Sequence, residues 1–120
     1  MYTQEELGRY GYAREKLSAA VIKLAIGEGG IKSRLRWVHD SELCGLTREN
    51  FPDELIDDWQ NIIKELTKLG PSSINGTSIT IRSISNTLHG IRNVTGVKIA
   101  QKICDLKYKI DTYFELPHQD

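Results

Sequence analysis

The chain of 120 residues has few cysteines and no long apolar segment. Its two cysteines, Cys44 and Cys104, exclude a fold held by several disulfides, which is common in small secreted proteins. No apolar segment approaches the roughly 20 residues that a membrane-spanning helix needs. The first ten residues, MYTQEELGRY, are too polar for a signal peptide. We therefore expect a cytoplasmic protein with reduced thiols and no membrane insertion.

A net charge is also absent, because 16 basic and 16 acidic side chains cancel. This balance argues against the overall positive field of a dedicated nucleic-acid-binding protein. The two signs are nevertheless distributed unevenly, with acidic residues concentrated in 51–70 and basic residues in 71–114. We interpret this as two oppositely charged helices that lie near each other. A basic face for a phosphate backbone or an acidic protein is the alternative.

The best-specified segment is 50–70, in which apolar residues recur at steps of four and three. Such spacing puts them on one face of a helix that packs against the core. Asn50 is the predicted N-cap, Pro52 fits the first turn, and Gly70 is suited to end the helix. The predicted buried face consists of Leu55, Trp59, Ile62, Leu66 and Leu69.

Four other segments are also predicted to be helical. The first helix begins after Thr3 and ends at about Ile26, and the others cover about 31–43, 78–89 and 95–114. The 78–89 segment is ambiguous, because Ile79 and Ile81 alternate with polar residues as in a strand. We expect an all-α bundle of four or five helices, mostly antiparallel and up-down, in a single helical domain 1–120 with a mobile tail 115–120.

Residues that could carry chemistry do not form a recognisable catalytic or metal-binding set. His39, Asp40 and Glu42 could supply metal ligands, but no Cys or His pair has zinc spacing. The glycines of 27–30 precede Lys32 without the strand and the glycine-lysine pair of a phosphate-binding loop. We expect no metal and no cofactor, and a protein that is not an enzyme.

Two arginine-histidine spacings suggest an alternative function. Arg34 and His39 form R-x4-H in the second helix, and Arg82 and His89 form R-x6-H in the fourth. In this respect the sequence resembles helical ribonucleases of the HEPN type, in which two such motifs meet at a dimer interface and polarise an RNA 2′-hydroxyl and phosphate. The resemblance implies an RNA-cleaving helical dimer with these residues as its catalytic groups.

The function that the sequence favours is an interaction or regulatory module, such as an immunity protein, an antitoxin or an accessory subunit, that binds a partner protein. The predicted contact residues are Trp37, Tyr12 and Arg36, because exposed aromatic and arginine side chains often dominate protein interfaces. A homodimer is also expected, since the apolar faces of the central and last helices are wide for so short a chain. Nucleic-acid binding remains a further alternative, although a helix-turn-helix around Gly90 would put polar side chains where apolar ones are needed.

Overall fold

A computed structural model describes residues 3–67 and 87–115, and every regular element in these ranges is helical. The prediction of an all-α fold is confirmed for this part of the chain. Residues 87–90 are helical as well and precede the last helix. The elements, in chain order, are α1 (Gln4–Ile26), α2 (Ile31–Ser41), 3₁₀ turns at Leu43–Gly45 and Arg48–Asn50, α3 (Asp53–Thr67) and α4 (Asn93–Glu115).

The start of α1 follows directly from its sequence. The Thr3 hydroxyl accepts a hydrogen bond from the Glu6 backbone N–H at 3.0 Å, and the Glu6 carboxylate accepts one from the Thr3 N–H at 3.0 Å. This capping box satisfies backbone donors that the helix cannot pair internally. The predicted start after Thr3 and end at Ile26 are both confirmed.

The predicted N-cap of the central helix is wrong, because α3 begins at Asp53 rather than just after Asn50. The Asn50 side chain has two other partners: its oxygen accepts from the Thr47 N–H at 2.9 Å, and its nitrogen donates to the Arg9 carbonyl at 3.3 Å. Asn50 thus closes a 3₁₀ turn and ties it to α1. The helix starts beyond Pro52, which lies just before the first turn rather than within it.

The second helix ends two residues earlier than the sequence predicts. The Ser41 hydroxyl donates to the Trp37 carbonyl at 2.6 Å, and the Cys44 thiol donates to the Asp40 carbonyl at 3.2 Å. These side chains satisfy carbonyls at the helix end, where backbone partners run out. The last helix is longer than predicted by two residues at its start and one at its end.

One hydrophobic cluster joins α1, α2, α3, α4 and residues 88 and 91. Four of the five predicted core positions of the central helix, from Leu55 to Leu66, are buried in it. Gly96 of α4 lets α2 approach closely, because a Cβ there would lie 3.1 Å from the Ile31 side chain. The absence of a side chain at Gly96 therefore permits the close contact between these two helices.

Contacts between the helices show their relative directions. Arg14 of α1 pairs with Asp111 of α4 at 2.9 Å, so the first half of α1 lies beside the end of α4. On α3, Asp58 pairs with Lys109 at 2.9 Å, and Glu65 with Lys102 at 3.6 Å. The two pairs between α3 and α4 occur in opposite order along the two helices, and the acidic and basic segments noted in the sequence pack against each other.

Several predictions fall beyond the described residues. These are the buried position of Leu69, the cap at Gly70, the tail from residue 116 onward, and most of the predicted helix at 78–89, including Arg82. Of that segment, residues 87–89 are helical.

Candidate functional site

The most distinctive surface lies on the outside of the hairpin formed by α1 and α2. On α1, spacings of four, seven and three positions put four residues on one helical face, which lies outside the buried stripe that contains Leu17 and Leu24. These four residues are Tyr12, Lys16, Lys23 and Ile26. Side chains of α2 and of the residue that follows it extend this surface. We call it the hairpin face and define it as Tyr12, Lys16, Ile22, Lys23, Ile26, Trp37 and Glu42.

A buried carboxylate lies in the middle of the hairpin face. Glu42 retains 8% of its accessible surface and faces two lysines. The Lys23 ammonium donates to its carboxylate at 2.7 Å, and the Lys16 ammonium lies 3.8 Å away. Burial raises the pKa of Glu42, but the hydrogen bond from Lys23 and the positive charges of Lys23 and Lys16 outweigh burial and lower it. Glu42 is therefore ionised at neutral pH and fixes both lysines.

Each of these lysines also lies over an aromatic ring. The Lys23 ammonium is 4.9 Å from the centre of the Trp37 ring, and the Lys16 ammonium is 5.6 Å from that of Tyr12. Both distances fit a cation–π interaction. Trp37 and Tyr12 still expose 44% and 43% of their surface. The rings are thus held in place from one side and available from the other.

Exposed aliphatic side chains extend the surface beside Trp37. Ile22 and Ile26 lie one helical turn apart on α1 and expose 58% and 71% of their surface. Ile26, Gly27, Glu28 and Trp37 line a shallow depression where α1 turns into α2. An apolar side chain of a partner would fit this depression, with the Trp37 ring as one wall.

The turn that carries this depression is held by Arg34. Its guanidinium donates to the Leu24 carbonyl at 2.9 Å, near the C-terminal end of α1, where a cation also complements the helix dipole. Gly27 allows this arrangement, because a Cβ there would lie 2.8 Å from the Arg34 Cγ. Arg34 is therefore built into the hairpin.

The structure does not join the two members of the first arginine-histidine motif. Within the described residues, no hydrogen bond or ion pair links Arg34 to His39. His39 is 3% exposed, and its Nδ1 lies 3.0 Å from the Asp40 carboxylate. Arg36, predicted as a contact residue, also donates to Asp40 at 2.9 Å. Burial raises the pKa of Asp40, but hydrogen bonds from His39 and Arg36 outweigh burial and lower it, so His39 donates to a carboxylate.

The second motif is described in part. His89 is exposed, and it lines an open groove together with Lys32, Ser33, Arg36 and Leu88. Its predicted partner Arg82 lies outside the described residues. The groove gathers the side chains of Lys32, Arg36 and His89 together with the Ser33 hydroxyl. The roles predicted for these residues remain predictions.

No group of three or more His, Cys, Asp or Glu side chains in 3–67 and 87–115 is arranged to hold a metal ion. None of the helices in those ranges combines the length and apolar character that crossing a bilayer requires.

Sequence reasoning identified Trp37 and Tyr12 but missed five members of the hairpin face. The available signal was the spacing of Tyr12, Lys16, Lys23 and Ile26, which share one side of α1. Ile22 and Ile26 also fall off the stripe that contains Leu17 and Leu24. Glu42 gave no comparable signal, because its burial depends on two lysines at least 19 residues away along the chain.

Comparisons with protein-family models, curated proteins and solved structures found no match to this chain.

Proposed function

We propose that this protein is a non-enzymatic interaction module that binds a partner protein through the hairpin face, as an immunity protein, antitoxin or accessory subunit does. The observation that carries the proposal is Trp37, which is 44% exposed although Lys23 lies against its ring. Tryptophan is among the residues that contribute most to binding energy at protein interfaces. The proposal includes a cytoplasmic location, and the free thiols of Cys44 and Cys104 are compatible with that location.

The chemistry of the hairpin face suggests what the partner presents. Ile22, Ile26 and Trp37 offer an apolar surface, which favours an apolar side chain of the partner inserted into the depression beside Trp37. The Glu42 network already orders Lys23 and supports the ring from behind. Binding would then cost little conformational entropy on this side of the interface.

The proposal also includes the arrangement of the whole chain as an antiparallel up-down bundle. Its support is the opposite order of the two ion pairs along α3 and α4, and the hairpin formed by α1 and α2. In such a bundle the short connections leave the outer faces of the helices open to a partner.

Nucleic-acid binding is the second candidate function, and the groove between α2 and residues 87–90 favours it. Lys32, Ser33, Arg36 and His89 could contact phosphate oxygens there. The ribonuclease alternative would depend on His89, because Arg34 and His39 have partners within the fold.

The test compares the proteins captured by the wild type, Trp37→Ser and Gln60→Ser. Gln60 is the control, since its side chain is exposed on α3, outside the hairpin face. We expect a protein that binds in stoichiometric amount to the wild type and to Gln60→Ser, and that Trp37→Ser loses while remaining folded by circular dichroism.

Equal capture by all three proteins would contradict a role for the hairpin face. RNA binding or metal-independent RNA cleavage by the wild type, lost in Lys32→Ala or His89→Ala and retained in Trp37→Ser, would replace the interaction module with the second candidate.

A further inference from the structure

The outer side of α4 is an exposed stripe that faces away from the core. Val94, Val97 and Tyr108 expose 51%, 55% and 73% of their surface, and exposed Gln101 lies between them. Spacings of three, four and seven residues keep these four side chains on one side of the helix. The buried residues Ile99, Ile103, Leu106 and Ile110 occupy the opposite side.

Two opposite charges accompany this stripe. Lys98 and Asp105 are both exposed on the same side of α4. Among residues 3–67 and 87–115, no ion pair engages either of them. The Asp105 carboxylate does accept a hydrogen bond from the Gln101 amide at 2.9 Å. Asp105 also helps to raise the pKa of Lys109. Within the described residues, its carboxylate keeps further acceptor capacity for another molecule, as the Lys98 ammonium keeps its donors.

The order of these residues makes the stripe complementary to itself. Val94 and Tyr108 each lie seven residues from Gln101, on opposite sides of it. Lys98 lies three residues before Gln101, and Asp105 lies four residues after it. A twofold axis at Gln101 that pairs α4 with an antiparallel copy brings Val94 against Tyr108 of the second copy, and Lys98 against Asp105 of the second copy. An interface related by a twofold axis repeats each contact twice.

We propose that the outer side of α4 is the surface on which a second copy of this chain packs, antiparallel and centred on Gln101. Charge complementarity decides the occupant and the direction, since a parallel copy would put Lys98 against Lys98 and Asp105 against Asp105. From Val94 to Tyr108 the contact covers 14 residue-to-residue steps, or about 21 Å of helix. Such a contact is small, so we expect a weak dimer. Its proposed contacts use no residue of the hairpin face.

A disulfide at the twofold axis tests the register. In a chain carrying Cys44→Ser and Cys104→Ala, Gln101→Cys brings two thiols together at the axis, and oxidised glutathione can convert them to a disulfide. We expect a linked dimer on denaturing gels to form faster than with Ile22→Cys, an exposed control on the hairpin face in the same background. Equal rates for the two variants would overturn the proposed register.

Charge reversal tests the same contact without cysteines. Lys98→Glu and Asp105→Lys each create two like-charge contacts in the dimer. We expect each to raise the dimer dissociation constant roughly fivefold by sedimentation equilibrium, and the double variant to restore the wild-type value. A wild type that stays monomeric at the highest soluble concentration would overturn the proposal, as would single variants that dimerise like the wild type. The proposed function fails separately, in the capture experiment with Trp37→Ser.

Discussion

Two sets of ion pairs between carboxylates and lysines differ in how deeply their side chains are buried. In the hairpin face, the side chains of Glu42 and Lys23 retain 10% and 23% exposure. In the seam between α3 and α4, defined here by Asp58, Glu65, Lys102 and Lys109, the pair of Asp58 and Lys109 retains 42% and 53%. Water screens the seam strongly and the hairpin network weakly.

This difference in exposure indicates which ion pairs stabilise the fold and position neighbouring side chains. Removing the charge of a buried carboxylate leaves its two lysines without a counter-charge. Breaking an exposed ion pair costs little, because water solvates both charges. The hairpin network should therefore position Trp37 and contribute to stability, while the seam contributes little to either. The following changes test that contrast in order of expected effect.

The largest effect is expected for Glu42→Gln. The amide cannot balance the charges of Lys16 and Lys23, so we expect the free energy of unfolding to fall by about 1–3 kcal/mol. Urea denaturation monitored by circular dichroism measures it. The same variant carrying Trp37→Phe shows how much of the tryptophan fluorescence comes from Trp37. A change in that part of the fluorescence of the folded variant would show that the Trp37 ring has lost its support. An unchanged unfolding midpoint would show that the Glu42 network does not stabilise the fold.

The next effect concerns the turn of the hairpin. Arg34→Ala removes the donor to the Leu24 carbonyl and the side chain packed under Gly27, and we expect a loss of about 1–2 kcal/mol. Thermal unfolding beside Arg48→Ala, an exposed arginine, separates this from a general effect of charge. If both variants unfold at the wild-type temperature, Arg34 does not hold the turn, and its side chain becomes available for other roles.

The contribution of Glu42 should also depend on pH. Its pKa is lower in the folded chain than in the unfolded one, so the folded state binds this proton more weakly. The stability it provides is complete above the unfolded pKa of about 4.3 and is lost as pH falls through the lower folded value. We expect the difference in unfolding free energy between the wild type and Glu42→Gln to be constant above about pH 5 and to shrink below pH 4. A difference that stays constant through this range would contradict the assignment.

The smallest effect is expected in the seam. Asp58→Asn removes the ion pair with Lys109, and we expect a change within about 0.5 kcal/mol that decreases further as salt is added. Urea denaturation at low and high ionic strength measures it. A loss as large as that of Glu42→Gln would remove the contrast between the two regions.

The parts of the fold that the sequence predicts correctly depend on local patterns. The predicted start of α1 after Thr3 depends on residues 3–6 alone, and the stripe from Leu55 to Leu66 depends on helical spacing alone. Both follow from residues close in sequence. The start of α3 was predicted incorrectly because the Asn50 side chain bonds to Arg9, 41 residues away.

The candidate site was predictable only in part, for the same reason. Trp37 and Tyr12 stand out by residue type, which is enough to nominate them as contact residues. The exposure of Ile22 and Ile26 depends on which side of α1 the other helices cover, and apolar residues occur around much of that helix. Composition and spacing do not reveal which side of α1 is covered, because tertiary packing determines it.

Hydrogen exchange of the protein with and without its captured partner shows which helices the partner covers. We expect added protection to concentrate in the second half of α1 and in α2, around Ile22, Ile26 and Trp37, and we expect Trp37→Ser to abolish it. Protection confined to α3 or α4, with the amides of the hairpin exchanging as in the free protein, would contradict the claim that the hairpin face is the binding site.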